Sequence, residues 1–351
     1  MAYTTIDDPE LYFQVKLYTG NGTDNTAITL DGENDMQPDF VWIKERSATE
    51  GHYLFDAARG ATKVIMTSST NAESTEATTL KSFNSNGFTL GTSAEVNDNT
   101  VTNVAWCWKA NGSGSSNTDG NTNTTKTSAN TTSGFSIITY DGDGAAATLG
   151  HGLGAVPHLI IQKNLDDTEN WQIYHHKNTS APETDYLTFT TNATGDQASR
   201  WNDTAPTSTL ITIGSDSSVS QSGESMLMLA WSEKQGFSKF SSFIGNGNAD
   251  GTFVYTGFRP AFIIFKKSSG SGDDWSMYDY KRTGYNSAGN EELRPNTTAA
   301  EQDVDRIDIL SNGFKARTGS GETNESGSTY VYMAWAEQPF VNSNGVPCNA
   351  R

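Results

Sequence analysis

Apolar and polar residues alternate with a period of two along Thr100 to Trp108 and Ser328 to Trp335, the spacing of strands whose side chains point to opposite faces in turn. Asn-Gly and Gly-Asx pairs punctuate the chain about every 8 to 15 residues, as short antiparallel strands joined by tight turns require. Helical spacing is nearly absent. Only Ala299 to Leu310 predicts a turn or two of helix, with Glu301, Asp303 and Asp305 suited to its first turn.

One set of landmarks returns three times, and such repetition governs the fold more than any local pattern. Each unit opens on an aromatic, a spacer and Gly-Asx-Gly, at Tyr18 to Gly22, Tyr140 to Gly144 and Phe243 to Gly247. Next comes Pro, one residue, a mostly apolar run and Lys, at Pro38 to Lys44, Pro157 to Lys163 and Pro260 to Lys266. Alternating strands follow at His52 to Asp56, Trp171 to His175 and Trp275 to Asp279. Ser85-Asn86-Gly87-Phe88 then matches Ser311-Asn312-Gly313-Phe314, while the middle unit has Leu210 to Ile213 there. Each unit closes on Ala-Trp, at Ala105-Trp106, Ala230-Trp231 and Ala334-Trp335, and these tryptophans are expected in the core.

About 100 residues with seven or more short strands is the size of one β-sandwich. The expected fold is therefore all-β, three tandem antiparallel β-sandwich or jelly-roll-like repeats at residues 16–110, 134–237 and 238–341. Residues 111–133, almost entirely Gly, Ser, Thr and Asn, read as a flexible linker that buries no core. Residues 1–15, mixed apolar and acidic, read as an attachment arm separable from the folded body or as an added strand, and residues 342–351 as a tail.

Charge narrows the function. Acidic residues outnumber Lys and Arg by 41 to 23, a net charge of −18, which repels phosphate backbones and anionic lipid and argues against nucleic-acid binding. The longest apolar runs, such as Phe262 to Phe265, fall far short of the ~20 residues of a membrane helix, so no membrane insertion is expected. The first residues lack the basic and apolar regions of a secretory signal, so synthesis in a cytoplasm is expected. Cys107 and Cys348 offer neither a disulfide framework nor a metal spacing.

No constellation of catalytic residues stands out. The five histidines accompany no G-x-S-x-G elbow, and the phosphate-cradling G-x-x-x-x-G-K-[ST] is missing. His175 and His176 adjoin on a strand, point to opposite faces and read as a solvated pair. Asp31 to Asp35 and Asp141 to Asp143 cluster oxygens as polar turns do, without the order of a calcium loop. The expectation is a non-enzymatic protein with no catalytic residues, no metal and no cofactor. What remains is recognition. The segments 57–84, 176–207 and 280–310 are the longest and least alike parts of the repeats, and such loops on a rigid scaffold are where specificity is usually placed. Within them Tyr186, Trp201, Tyr285 and Arg294 are the candidates to stack on, or hydrogen-bond, a sugar or partner surface.

At these landmarks the chain resembles a family of structural proteins from marine tailed bacteriophages. The resemblance is carried by Met1 to Glu10, Gln37 to Lys44, His151 to Pro157, Tyr255 to Pro260, Ala336 to Phe340 and Gly345 to Arg351. It implies a repeat-built protein of the virion surface, tail-associated or tail-fibre-like, made in the host cytoplasm. Implied partners are other virion proteins, further copies of the chain, with a trimer by analogy to fibres, and a host cell-surface glycan or protein. Two other roles fit the same resemblance: a capsid head decoration protein, and a fibre-borne glycan depolymerase.

Overall fold

The computed structural model describes residues 2–283 and 290–348. Strands hold 41% of the chain and helices 5%, so the all-β expectation holds. Each repeat builds one main antiparallel sheet. In the first, Phe13–Thr19, Thr102–Trp108, Phe40–Glu45 and His52–Asp56 lie side by side, extended by Lys63–Met66 and Ser74–Thr75. The second repeat has Phe135–Asp141, Ser225–Trp231, Leu159–Asn164 and Gln172–His175 in the same order, and the third Ser238–Ile244, Thr329–Pro339, Phe258–Lys267 and Ser276–Asp279.

A small sheet covers the outer face of each main sheet: Thr26–Thr29 with Gly87–Leu90 and Leu80–Asn84, Ala147–Gly150 with Leu210–Ile213, and Phe253–Tyr255 with Gly313–Ala316 and Ile307–Leu310. The apolar runs of the Pro-to-Lys landmark follow from this, because both faces of those strands are buried. Val41 and Ile43 face the first repeat's own small sheet. Phe40 and Trp42 face inward, into one core shared with Leu159, Ile161, Phe262 and Ile264 of the other two repeats.

At the centre of that core Trp108, Trp231 and Trp335 meet pairwise edge to face, with ring centroids 5.3 to 6.4 Å apart. Three sheets thus surround a pseudo-threefold axis, and the repeats are walls of one body rather than separate beads. The closing landmark needs a correction here. Phe40 pairs with Trp108, Leu159 with Trp231 and Phe262 with Trp335, so the equivalent of Trp231 is Trp108, not Trp106. The first repeat carries tryptophan at both i and i+2 of one strand face, and the Ala-Trp pair marks the wrong one.

The repeated turns have packing reasons. A Cβ on Gly20, Gly142 or Gly245 would lie 2.2 to 2.3 Å from the carbonyl oxygens of Asp98, Gln221 and Glu325, and the second glycine of each motif sits at φ +66° to +79°. The landmark lysine closes the turn after its strand: Lys44 Nζ donates to the Glu45 and Ala48 carbonyls at 2.6 and 3.1 Å, and Lys163 Nζ to Asn164 and Asp167 at the same distances. Lys266 Nζ donates to the Asp273 carbonyl at 2.7 Å.

Three further expectations are revised. Residues 111–133 are no free linker: Lys126–Asn130 is an edge strand of the second main sheet, and Thr124, Ser128 and Ser133 are buried. Polar composition is compatible with burial because hydroxyls bond the backbone, Ser128 Oγ accepting from Asn111 N and donating to Gly112 O. Residues 1–15 are no separable arm but in part the added strand: Phe13 to Val15 begin the edge strand of the first main sheet, Ile6, Phe13 and Val15 lie in the shared core, and Tyr3 donates its hydroxyl to the Gly257 carbonyl at 2.7 Å. The tail folds back as well, Ser343 N donating to Asp7 Oδ1 at 2.7 Å. Finally, 299–310 forms the strands Gln302–Val304 and Ile307–Leu310 instead of a helix, because Ile307 and Ile309 alternate into the core.

Candidate functional site

The three segments least alike in sequence emerge from the same end of the shared core. Just beyond the third strand of each main sheet, a side chain from one repeat bonds the backbone of the next. Trp171 Nε1 donates to the Met66 carbonyl at 2.9 Å, and Trp275 Nε1 to the Thr188 carbonyl at 2.9 Å. In the first repeat the corresponding residue is His52, whose Nδ1 accepts from Trp42 Nε1 at 3.0 Å. That bond needs a neutral ring, and burial holds the His52 pKa well below its usual value. The circle closes through Thr67 Oγ1, which donates to the Pro295 carbonyl at 2.6 Å.

These exchanges set three loops around an open depression of about 540 Å³ on the axis. The first repeat contributes Thr67 to Thr70, the second Asn170, Trp171 and Phe189 to Thr191, and the third Asp274, Asn296 and Thr297. Trp171 and Phe189 are buried and form an aromatic floor, their rings 5.9 Å apart and edge to face. Hydroxyls and amides form the rim. Asp274 is committed: its Oδ2 lies 3.0 Å from Arg294 Nη1, and its Oδ1 accepts from Asn296 Nδ2 at 2.7 Å. Asn296 Oδ1 in turn accepts from Trp275 N at 3.0 Å. Hydroxyls and amides above an aromatic floor are groups able to exchange hydrogen bonds with a polyhydroxylated ligand.

The structure places three of the four candidate contact residues outside the open surface of the depression. Trp201 is only 1% exposed and packs edge to face on Tyr174 in the second repeat's own core, so it anchors its loop and offers no contact surface. Tyr186 lies under the Arg200 guanidinium, 5.0 Å from its ring centroid. Arg294 ties Asp274 and Glu322, each at 3.0 Å, and so shapes the rim from behind. Tyr285 lies outside the described residues. Sequence reasoning found the loops and missed the rim. The available signal was a polar triplet in each variable segment past its landmark strand, Ser68-Ser69-Thr70, Thr190-Thr191-Asn192 and Asn296-Thr297-Thr298.

The histidine pair is not solvated. His175 is buried with Nε2 3.1 Å from the Tyr332 carbonyl, and His176 Nε2 lies 2.6 Å from the Phe240 carbonyl. Both therefore pin the second repeat to the third. Among the described residues no group of three His, Cys, Asp or Glu side chains is placed to hold a metal ion. Among the same residues no helix is long and apolar enough to cross a membrane.

No curated protein matches the chain. A family profile described as a domain of unknown function matches residues 8–339, a span that contains all three main sheets and the depression they surround. The unit that family describes is thus the complete three-walled body, and the chain belongs to the DUF7483 family.

Proposed function

We propose that the protein is a non-enzymatic surface component of a tailed bacteriophage particle, tail-associated or fibre-borne, that engages a host-surface glycan through the axial depression. One observation carries this reading: the three divergent loops, one per repeat, converge on a single open depression rimmed by hydroxyls and amides. A rigid scaffold that gathers its variable segments at one point is built to present them. Side-chain hydroxyls and amides match the donor and acceptor pattern of a sugar ring, and the carboxylate at the rim is already paired with Arg294. In the particle the chain packs against other virion proteins, and several copies would multiply weak contacts into useful avidity.

Binding of the purified chain to immobilised polysaccharides from candidate hosts tests this. Thr191→Trp and Ser69→Trp, which place an indole in the depression, should reduce retention by about tenfold, the loss that follows from ~1.4 kcal/mol of contacts, with unchanged melting. Retention equal to wild type overturns the assignment. Release of oligosaccharides from the polymer would make the protein a depolymerase, and hundreds of copies following the capsid lattice in particle images would make it a decoration protein.

A further inference from the structure

The three repeats also differ in what their small sheets present to the outer surface. The outer-edge strands of the three small sheets correspond through their pairing, Ile28 with Phe88, Leu149 with Ile211 and Val254 with Phe314. On either side of that inward residue the first repeat has Ala27 and Thr29, the second Thr148 and Gly150, and the third Phe253 and Tyr255. Phe253 and Tyr255 are 45% and 53% exposed. Two aromatics left in water where the sister repeats carry small residues are unfavourable for the isolated fold.

Tyr255 also walls a second open groove, of about 490 Å³, between the second and third repeats and well away from the axial loops. Its hydroxyl lies 3.3 Å from that of Tyr3, which the Gly257 carbonyl holds in place. Opposite stand His158, Glu233, Gln235 and Lys239. Glu233 is oriented by Phe240 N, which donates to its Oε1 at 2.8 Å, and its Oε2 lies 3.6 Å from Lys239 Nζ. His158 Nδ1 accepts from Glu233 N at 3.0 Å. The groove thus combines an exposed aromatic with fixed donors and acceptors, and the charges among its described lining residues, Glu233 and Lys239, are of both signs.

We propose that this groove is a second carbohydrate site, which takes a neutral pyranose stacked on Tyr255 and hydrogen-bonded by the side chains facing it. Aromatic faces pair with the C–H faces of sugars, while polar groups at the edge read the hydroxyls. An acidic sugar fits poorly beside Glu233 on a chain of net charge −18. The site is independent of the axial depression, so either assignment stands or falls alone.

Saturation-transfer NMR of the full chain with glucose, galactose, mannose and N-acetylglucosamine at millimolar concentration tests it. Transfer to at least one sugar is expected, reduced about tenfold in Tyr255→Ala, the loss typical of an anchoring aromatic. Tyr255→Phe, which keeps the ring, should retain it; every variant is measured in a Thr191→Trp background, in which the axial depression is filled and contributes no transfer. No transfer to any of the four sugars overturns the proposal, as does equal loss in the Phe and Ala variants. Concentration-dependent self-association in the ultracentrifuge, abolished by Phe253→Ser, would also overturn it by assigning the aromatic patch to contact between copies.

Discussion

Replacing Trp231 with alanine tests whether three repeats make one cooperative unit. Trp231 is 3% exposed. It stacks on Phe135 at 4.7 Å and meets Trp335 and Trp108 at 5.8 and 6.4 Å. Truncating a buried tryptophan costs about 3 to 5 kcal/mol, and three aromatic contacts at ~0.5 to 1.5 kcal/mol each put this site at the upper end. Unfolding entropy of ~2.1 cal/mol/K per residue amounts to ~0.7 kcal/mol/K over the chain, so a loss of ~5 kcal/mol lowers the melting temperature by ~7 °C. Because Trp108 and Trp335 belong to the other repeats, the whole calorimetric transition should move as one peak. A biphasic melt, with one part shifted and the remainder at the wild-type temperature, would refute the shared-core argument. A cycle with Trp108→Ala adds a second check, since rings in contact should couple by ~0.5 to 1.5 kcal/mol.

Deleting residues 2–15 removes Ile6, Phe13 and Val15 from the shared core and should cost at least ~5 kcal/mol; a truncated protein that melts at the wild-type temperature would show the segment to be dispensable. The landmark lysines give a pH signature. Burial lowers Lys44, Lys163 and Lys266 each to about 8, against ~10.4 in an unfolded chain. Between those values the unfolded state holds more protons, so stability rises with pH, while below about 8 both states are protonated and the slope vanishes. Urea midpoints at pH 7, 8.5 and 9.5 should therefore increase, and Lys163→Met should reduce the slope by about a third; a flat or falling series would exclude these lysines as the cause.

Much of this architecture is legible in the chain because strands write their burial at period two and repeats write it three times. The Gly-Asx-Gly turns, the Pro-to-Lys strands and the all-β class follow directly. The shared core does not, since a run such as Phe40-Val41-Trp42-Ile43 says only that both faces are covered. It is silent on whether the second cover is the repeat's own small sheet or two neighbouring repeats. The stretch around Ser128 misleads for a different reason: hydroxyls satisfied by the backbone are as buriable as valine, yet composition counts them as solvent-loving. Trp201 misleads because a large aromatic in a variable loop is as useful for fastening the loop as for touching a ligand.

The exchange of bonds around the axis, second repeat to first, third to second and first to third, is the connectivity of a ring of three subunits. Three separate chains so arranged would dissociate on dilution and would have to be identical. Joined in one polypeptide, each wall meets its neighbours at an effective concentration of order millimolar or above, whatever the protein's abundance. Each wall is also free to mutate alone, which is how Thr67, Phe189 and Pro295 come to occupy corresponding places around one opening. A ligand without threefold symmetry can then be gripped in a single orientation, which a ring of identical subunits cannot enforce.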